Sequence, residues 1–261
     1  MTGRRFSHSN NPSFSCAERV LLLPFGRESY LPAIVESWGG EAVRMDENTD
    51  RIIYHLKDAP EPVTLLYTGM GSPATANGLE MVAANGGRRV VLFGACGGVV
   101  PTVSVGDLIV ASAAVRGEGT SRYYASDDAS AECSKVMTKA LWESANTSGH
   151  CSVHRGPVYT TDAGYRQGPD IYDGTHREVF GSDLLGVECE CSAAAIVSIE
   201  LGLELGTLLF VTDNVTLPED GDRSYRGLKD PRVRAGFEAG LTSAMAALSL
   251  PLGPVRIDRT G

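Results

Sequence analysis

Val63-Thr64-Leu65-Leu66-Tyr67-Thr68-Gly69-Met70-Gly71-Ser72-Pro73-Ala74 decides the fold class of this chain. Residues 63–68 read as a strand buried on both faces, and the two glycines permit a tight reversal. Ser72-Pro73 then opens a helix: Ser accepts from the free amides of the first turn, and Pro lacks a donor that would have no partner there. The same alternation runs outward in both directions. Residues 19–24, 51–56, 89–93, 107–111, 152–160 and 206–212 read as further strands, and 30–38, 73–85, 131–145, 190–203 and 233–248 as helices, with Gly39-Gly40 and Gly86-Gly87 as stops. Several strands are almost wholly apolar, which predicts an α/β fold: a single domain with a central mixed, mostly parallel twisted sheet flanked by helices.

Composition sets the bounds. The chain has 261 residues, 43% of them hydrophobic and 21% charged, which is enough to bury one large core. Residues 1–18 read as a flexible polar arm and 19–261 as the domain. A net charge of −9 and the absence of any basic run argue against nucleic acid as a partner. No apolar stretch approaches the ~18–20 residues that cross a bilayer, and none follows the start with the core of a signal peptide, so a cytoplasmic protein without a membrane partner is expected. Six cysteines occur without a C-x-x-C pair, and the histidines are scattered, so no metal site is expected.

Ligands of such sheets collect at the carboxyl ends of strands. Gly69-Met70-Gly71-Ser72-Pro73-Ala74 satisfies the G-x-G-x-x-A form of a dinucleotide turn, but the next strand, ending Val91-Leu92-Phe93-Gly94-Ala95, lacks the acidic residue that would bind a ribose hydroxyl. In Gly94-Ala95-Cys96-Gly97-Gly98 the glycines let the backbone approach a ligand or a neighbouring chain segment; Cys96 has no histidine near it in sequence to make it a nucleophile. Gly186-Val187-Glu188-Cys189-Glu190-Cys191 places two carboxylates at the entrance of an apolar helix, where charge seldom goes without a partner. A favourable helix-end position explains one of them, not both. Thr212-Asp213-Asn214 ends an apolar strand where a catalytic acid or a turn-forming Asp would sit, and the loop 217–229, carrying Arg226, reads as a cover for a site.

Residues 69–73, 91–106, 115–124, 187–190 and 211–214, in this order and spacing, resemble the nucleoside phosphorylase family that contains the hexameric purine nucleoside and uridine phosphorylases. The resemblance implies a pentosyltransferase that cleaves the N-glycosidic bond of a purine nucleoside or uridine, with inorganic phosphate as co-substrate and no cofactor. It also implies dimers that share active sites, commonly arranged as a hexamer, a trimer of dimers. By the same resemblance Glu190 holds the ribose hydroxyls with Glu188 beside it, Cys189 lies against the sugar, and His8 reaches a neighbour's 5′-hydroxyl. Asp213 protonates the departing base with help from Arg226, Tyr165 stacks on that base, and Cys96 and Gly97 line its pocket. Gly26, Arg27, Arg51 and Ala95 fall at the phosphate.

The sequence departs from the family pattern at the sugar, where Cys189 stands for a methionine, and at the phosphate, where the glycine loop is shortened to Pro24-Phe25-Gly26-Arg27 and two ligands are replaced. The strand arginine that holds phosphate is Leu92 here, and the Ser or Thr that follows it is Ala95. Several charge-assisted donors normally bind phosphate, so the loss of two leaves a nucleosidase using water, or a non-catalytic nucleoside-binding protein, as alternatives.

Overall fold

The computed structural model describes residues 15–46, 51–149, 151–164, 183–214, 216–217 and 225–253. Its strands are β1 (Arg19–Leu23), β2 (Gly40–Asp46), β3 (Arg51–Leu56), β4 (Val63–Tyr67), β5 (Arg89–Gly98), β6 (Leu108–Gly117), β7 (Ala131–Glu132), β8 (Val153–Thr161), β9 (Gly186–Glu188) and β10 (Glu204–Asn214). Its helices are α1 (Tyr30–Ser37), α2 (Ser72–Ala84), α3 (Lys135–Ser148), α4 (Cys191–Leu201) and α5 (Pro231–Leu248). All ten strands join one mixed sheet.

The period-two alternation of the central strands sorts the core into two layers. Leu21, Leu23, Val91, Phe93, Leu208 and Phe210 pack with residues of α1, α3 and α5. Their neighbours Val20, Leu22, Val90, Leu92, Leu209 and Val211 pack with α2 and α4 on the other face. Along β4-β1-β5-β10 every pairing is parallel, as expected for strands apolar on both faces. Antiparallel pairs occur toward β2 and β3 and around β6, β7 and β9.

The sheet also closes on itself. β10 pairs with both β5 and β6, and the path β6-β8-β9 returns to β5, so these five strands form a small ring while β1, β4, β3 and β2 extend from it as an open wing. Closure removes the free edges of the ring strands.

Several boundaries differ from the sequence reading. The glycine stretch 94–98, expected to follow the strand 89–93, is the second half of β5. Residues 115–117 continue β6. Ala131 and Glu132 pair with β6 instead of beginning a helix. The helix begins at Lys135, where the Ser134 hydroxyl accepts from the Met137 N–H. Gly39 does end α1, with φ +61°, but Gly40 already starts β2, whose bulge between Ala42 and Arg44 blurs the alternation that would reveal it. Of the residues expected as an arm, 15–18 are described: the Ala17 N–H donates to Thr64 Oγ1 at 2.8 Å, and the Glu18 carbonyl accepts from Arg88 and Arg89. Among the described residues no helix is long and apolar enough to cross a membrane.

Candidate active site

Gly97 is the pivot of the carboxyl-end corner. In register it faces Asp213 of β10 on one side and Val187 of β9 on the other. A Cβ at Gly97 would lie 3.3 Å from Asp213 Oδ2 and 3.4 Å from Val187 Cγ1, so the absence of a side chain is what lets the two segments converge. The sheet thus brings the Glu188–Glu190 segment and Asp213 together, although they stand far apart in sequence.

Glu190 is 5% exposed, and its Oε1 accepts from the Gly71 N–H at 2.6 Å. Gly71 is the N-cap residue of α2, so the carboxylate sits on the positive end of that helix. The turn adopts φ +81° at Gly69 and +102° at Gly71, which explains both glycines without a dinucleotide. The Ser72 hydroxyl donates to the Cys189 carbonyl at 2.8 Å and ties the two segments together. The Gly71 N–H thus anchors one carboxylate oxygen, and the Cys189 N–H adds a second backbone donor to the group.

Glu188 is held differently. Its Oε2 accepts from the N–H groups of Glu190 and Cys191, both at 2.7 Å, and its Oε1 accepts from the Thr160 hydroxyl at 2.5 Å. It therefore caps α4, the structural half of the carboxylate pair. Burial pushes the pKa of both glutamates upward, most strongly opposed at Glu188 by the Thr160 hydroxyl and at Glu190 by the Gly71 N–H, with the charge of Glu188 raising Glu190 further.

Asp213 is half-buried, and its Oδ1 accepts from the Thr212 hydroxyl at 2.8 Å. Burial raises its pKa against that hydrogen bond, the direction a proton donor requires. The Arg226 N–H donates to the Thr212 carbonyl at 3.2 Å, which places the end of the 217–229 loop beside the β10 terminus, while the guanidinium lies 3.6 Å from Asp230.

Cys96 turns its thiol into the core, 3.9 Å from the Phe210 carbonyl, and burial pushes its pKa well up, so it is no nucleophile. Its carbonyl lies 3.2 Å from the Thr212 hydroxyl, the more distant of two acceptors that share that one hydrogen. The Cys189 thiol is pushed up to about 12, chiefly by burial.

Gly26 and Arg27 form the turn between β1 and α1. The Gly26 carbonyl accepts from Ser29, Tyr30 and Leu31, and at φ +74° any Cβ there would meet Tyr30 Cδ2 at 2.2 Å. Phe25 of this turn packs 5.7 Å from Phe210, the β10 residue in register with Ala95, so the turn and Ala95 share one corner. Arg51 lies across the wing on β3, where it donates to Met81 Sδ at 3.3 Å. Leu92 is fully buried on the α2 and α4 face. His8 and Tyr165 lie outside the described residues.

Sequence reasoning missed Thr160 and Ser192 as parts of this corner, and it named the stretches 115–124 and 212–214 without giving Glu118 or Thr212 a role of its own. Glu118 carried a local signal, an acid set between Gly117 and Gly119 at a strand end, whereas Thr160 and Ser192 carried none.

A family model described as the phosphorylase superfamily matches residues 26–237. This chain belongs to the phosphorylase superfamily. Among curated members, the uridine phosphorylase of Thermococcus kodakarensis is 35% identical over 147 residues, which cover 56% of this chain and 52% of that protein. The guanosine phosphorylase of Halorubrum lacusprofundi is 28% identical over 153 residues, 59% of this chain and 61% of that one. The chain therefore spans about half to three fifths of the length of these relatives. The crystal structure of uridine phosphorylase from Vibrio fischeri superposes with a TM-score of 0.77 at 22% identity, covering 94% of this chain and 99% of that one, a likeness of fold. Within the superfamily fold, the corner around Gly97 lies at the carboxyl ends of β5 and β10, where open α/β sheets bind ligands.

Proposed function

We propose that this protein cleaves the N-glycosidic bond of a nucleoside with phosphate as acceptor, releasing the free base and pentose 1-phosphate. One observation carries the reading: a buried carboxylate, Glu190, fixed on one oxygen by the Gly71 N–H at 2.6 Å, at the strand ends that also present Asp213. As the bond breaks the pentose gains positive character, and a fixed negative group attracts that state more strongly than the neutral substrate. Glu190 Oε2 accepts from a ribose hydroxyl, a charge-assisted hydrogen bond contributing about 1.5–3 kcal/mol. Asp213, kept protonated more readily by burial, gives its proton to the departing base, an effect typically worth about 10²–10⁴ in rate. Arg226, at the returning end of the loop, helps activate Asp213, and Tyr165 stacks on the base. Cys189 lies against the sugar and His8 reaches the 5′-hydroxyl of a neighbouring copy in a shared-site oligomer. Arg27 and Gly26 supply the anion corner beside Ala95, with Arg51 serving a partner subunit. The reaction needs no cofactor beyond phosphate.

Water as the acceptor is the second reading, and one observation favours it: position 92 is an apolar residue buried in the core, so β5 offers no cation there. The two are separated by incubating the protein with uridine, guanosine, inosine and adenosine, with and without phosphate, and identifying the sugar. Pentose 1-phosphate formed only with phosphate is expected. Free pentose at an equal rate without phosphate replaces phosphorolysis by hydrolysis, and binding without base release leaves a nucleoside-binding protein.

A further inference from the structure

Glu118 is a third buried carboxylate in this corner, 3% exposed, and glycosidic cleavage as described above gives it no part. Its Oε2 accepts from the Thr120 and Ser121 N–H groups at 2.5 and 3.0 Å, which caps the turn after β6. Its Oε1 does something else. It accepts from the Ser192 hydroxyl at 3.0 Å, across 74 residues, in the first turn of α4. The nearby Arg116 guanidinium is directed instead to the Ser121 hydroxyl and to the carbonyls of Ser126 and Ala129.

The contact continues to Glu190 without a break. The Ser192 N–H donates to Thr160 Oγ1 at 2.9 Å, the Thr160 hydroxyl donates to Glu188 Oε1, and Glu188 Oε2 accepts the Glu190 N–H at 2.7 Å. With Glu188 ionised, its Oε1 takes the one Thr160 hydroxyl hydrogen while the Thr160 oxygen accepts from the Ser192 N–H, and the carboxylates at both ends of the chain accept. The first turn of α4 is thereby held from two sides by groups on β8, β9 and the β6 turn. Glu190, the residue that begins that turn, cannot shift without breaking a buried polar chain, which is costly in a low-dielectric interior.

We propose that Glu118 is a positioning residue for Glu190, acting through the Ser192 hydroxyl to hold the ribose-binding carboxylate at its place. The inference rests on the ribose reading of Glu190 given above. A displacement of about 1 Å at a reacting group can cost on the order of 100-fold in rate, so loosening this link is expected to cost roughly 10-fold.

The test measures kcat and KM of Ser192→Ala, Glu118→Gln, Glu190→Gln and the double variant Ser192→Ala/Glu190→Gln on uridine, guanosine and their 2′-deoxy forms, with melting temperatures recorded alongside. Ser192→Ala and Glu118→Gln are expected to lose about 10-fold in kcat/KM on ribonucleosides and clearly less on 2′-deoxynucleosides, with phosphate KM unchanged. In the Glu190→Gln background Ser192→Ala is expected to cost little more, since coupled residues are not additive. Equal losses on both sugars, additive losses, or no loss in folded variants overturn the positioning role. Full ribonucleoside activity in Glu190→Gln overturns instead the ribose reading itself, and this inference falls with it. A crippled Glu190→Gln beside an indifferent Ser192→Ala overturns the inference alone.

Discussion

Glu190 begins one helix with its backbone and caps another with its side chain. That double duty makes its ionisation informative. Its pKa is raised by burial first and by the negative charge of Glu188 second. In the ribose role proposed for Glu190 the ionised form is the active one, so kcat/KM is expected to rise with pH along an acid limb lying above the ordinary carboxylate range. Glu188→Gln removes the neighbouring charge and should move that limb to lower pH; a limb that stays in place or moves upward removes the coupling. The stability consequence has the opposite sense. A carboxyl whose folded pKa is raised favours the fold while protonated, so its contribution is complete below the ordinary value of 4.5 and is lost as pH rises through the folded value. The pair was legible from sequence because a charge at the mouth of an apolar helix carries a local cost. Glu118 and Ser192 were not, because what joins them is a fold contact across 74 residues.

At the scale of elements, α5 depends on two small residues one turn apart. A Cβ on Gly236 would lie 2.3 Å from the Gly106 carbonyl oxygen, and one on Gly240 would lie 2.8 Å from the Phe93 ring. The first neighbour is backbone and cannot rotate away, whereas a ring can adjust. Gly236→Ala is therefore expected to destabilise by about 1–3 kcal/mol despite the better helix propensity of alanine. In a domain of this size each kcal/mol lowers Tm by about 2–4 °C, which a thermal melt resolves. An unchanged or higher Tm would show that α5 lies further from the 106 turn than described. The helix itself was readable from its apolar spacing, but its start was not: Asp230 accepts from the Arg232 N–H and Pro231 takes the first position, two residues before the expected Val233.

At the scale of the whole molecule, the end of the sheet opposite the site is fastened by buried charge. Arg89, 1% exposed, donates to Glu204 and to the carbonyls of Leu250 and Pro251, and Arg19 donates to the carbonyl of Leu248. One side chain thus joins the starts of β5 and β10 to the segment after α5. Arg89→Met leaves several acceptors without their donor and is expected to cost about 3 kcal/mol. Denaturant unfolding should show it as a lower midpoint, with nucleoside KM unchanged because the site lies at the other strand ends. The alternating layers of strand and helix were predictable, since each follows from periodicity within a few residues. The ring was not, because the pairing of β10 with β5 and β6 leaves no trace in local pattern.

That ring also orders events in time. β10 supplies Asp213 and completes both remaining seams, yet it is the last of the described strands. A nascent polypeptide can pair β1, β4, β3 and β2 early, but β5 and β6 keep open flanks until residue 214 has left the ribosome. The pocket therefore comes into being late in synthesis, in the step that also covers the last sticky flanks of the barrel.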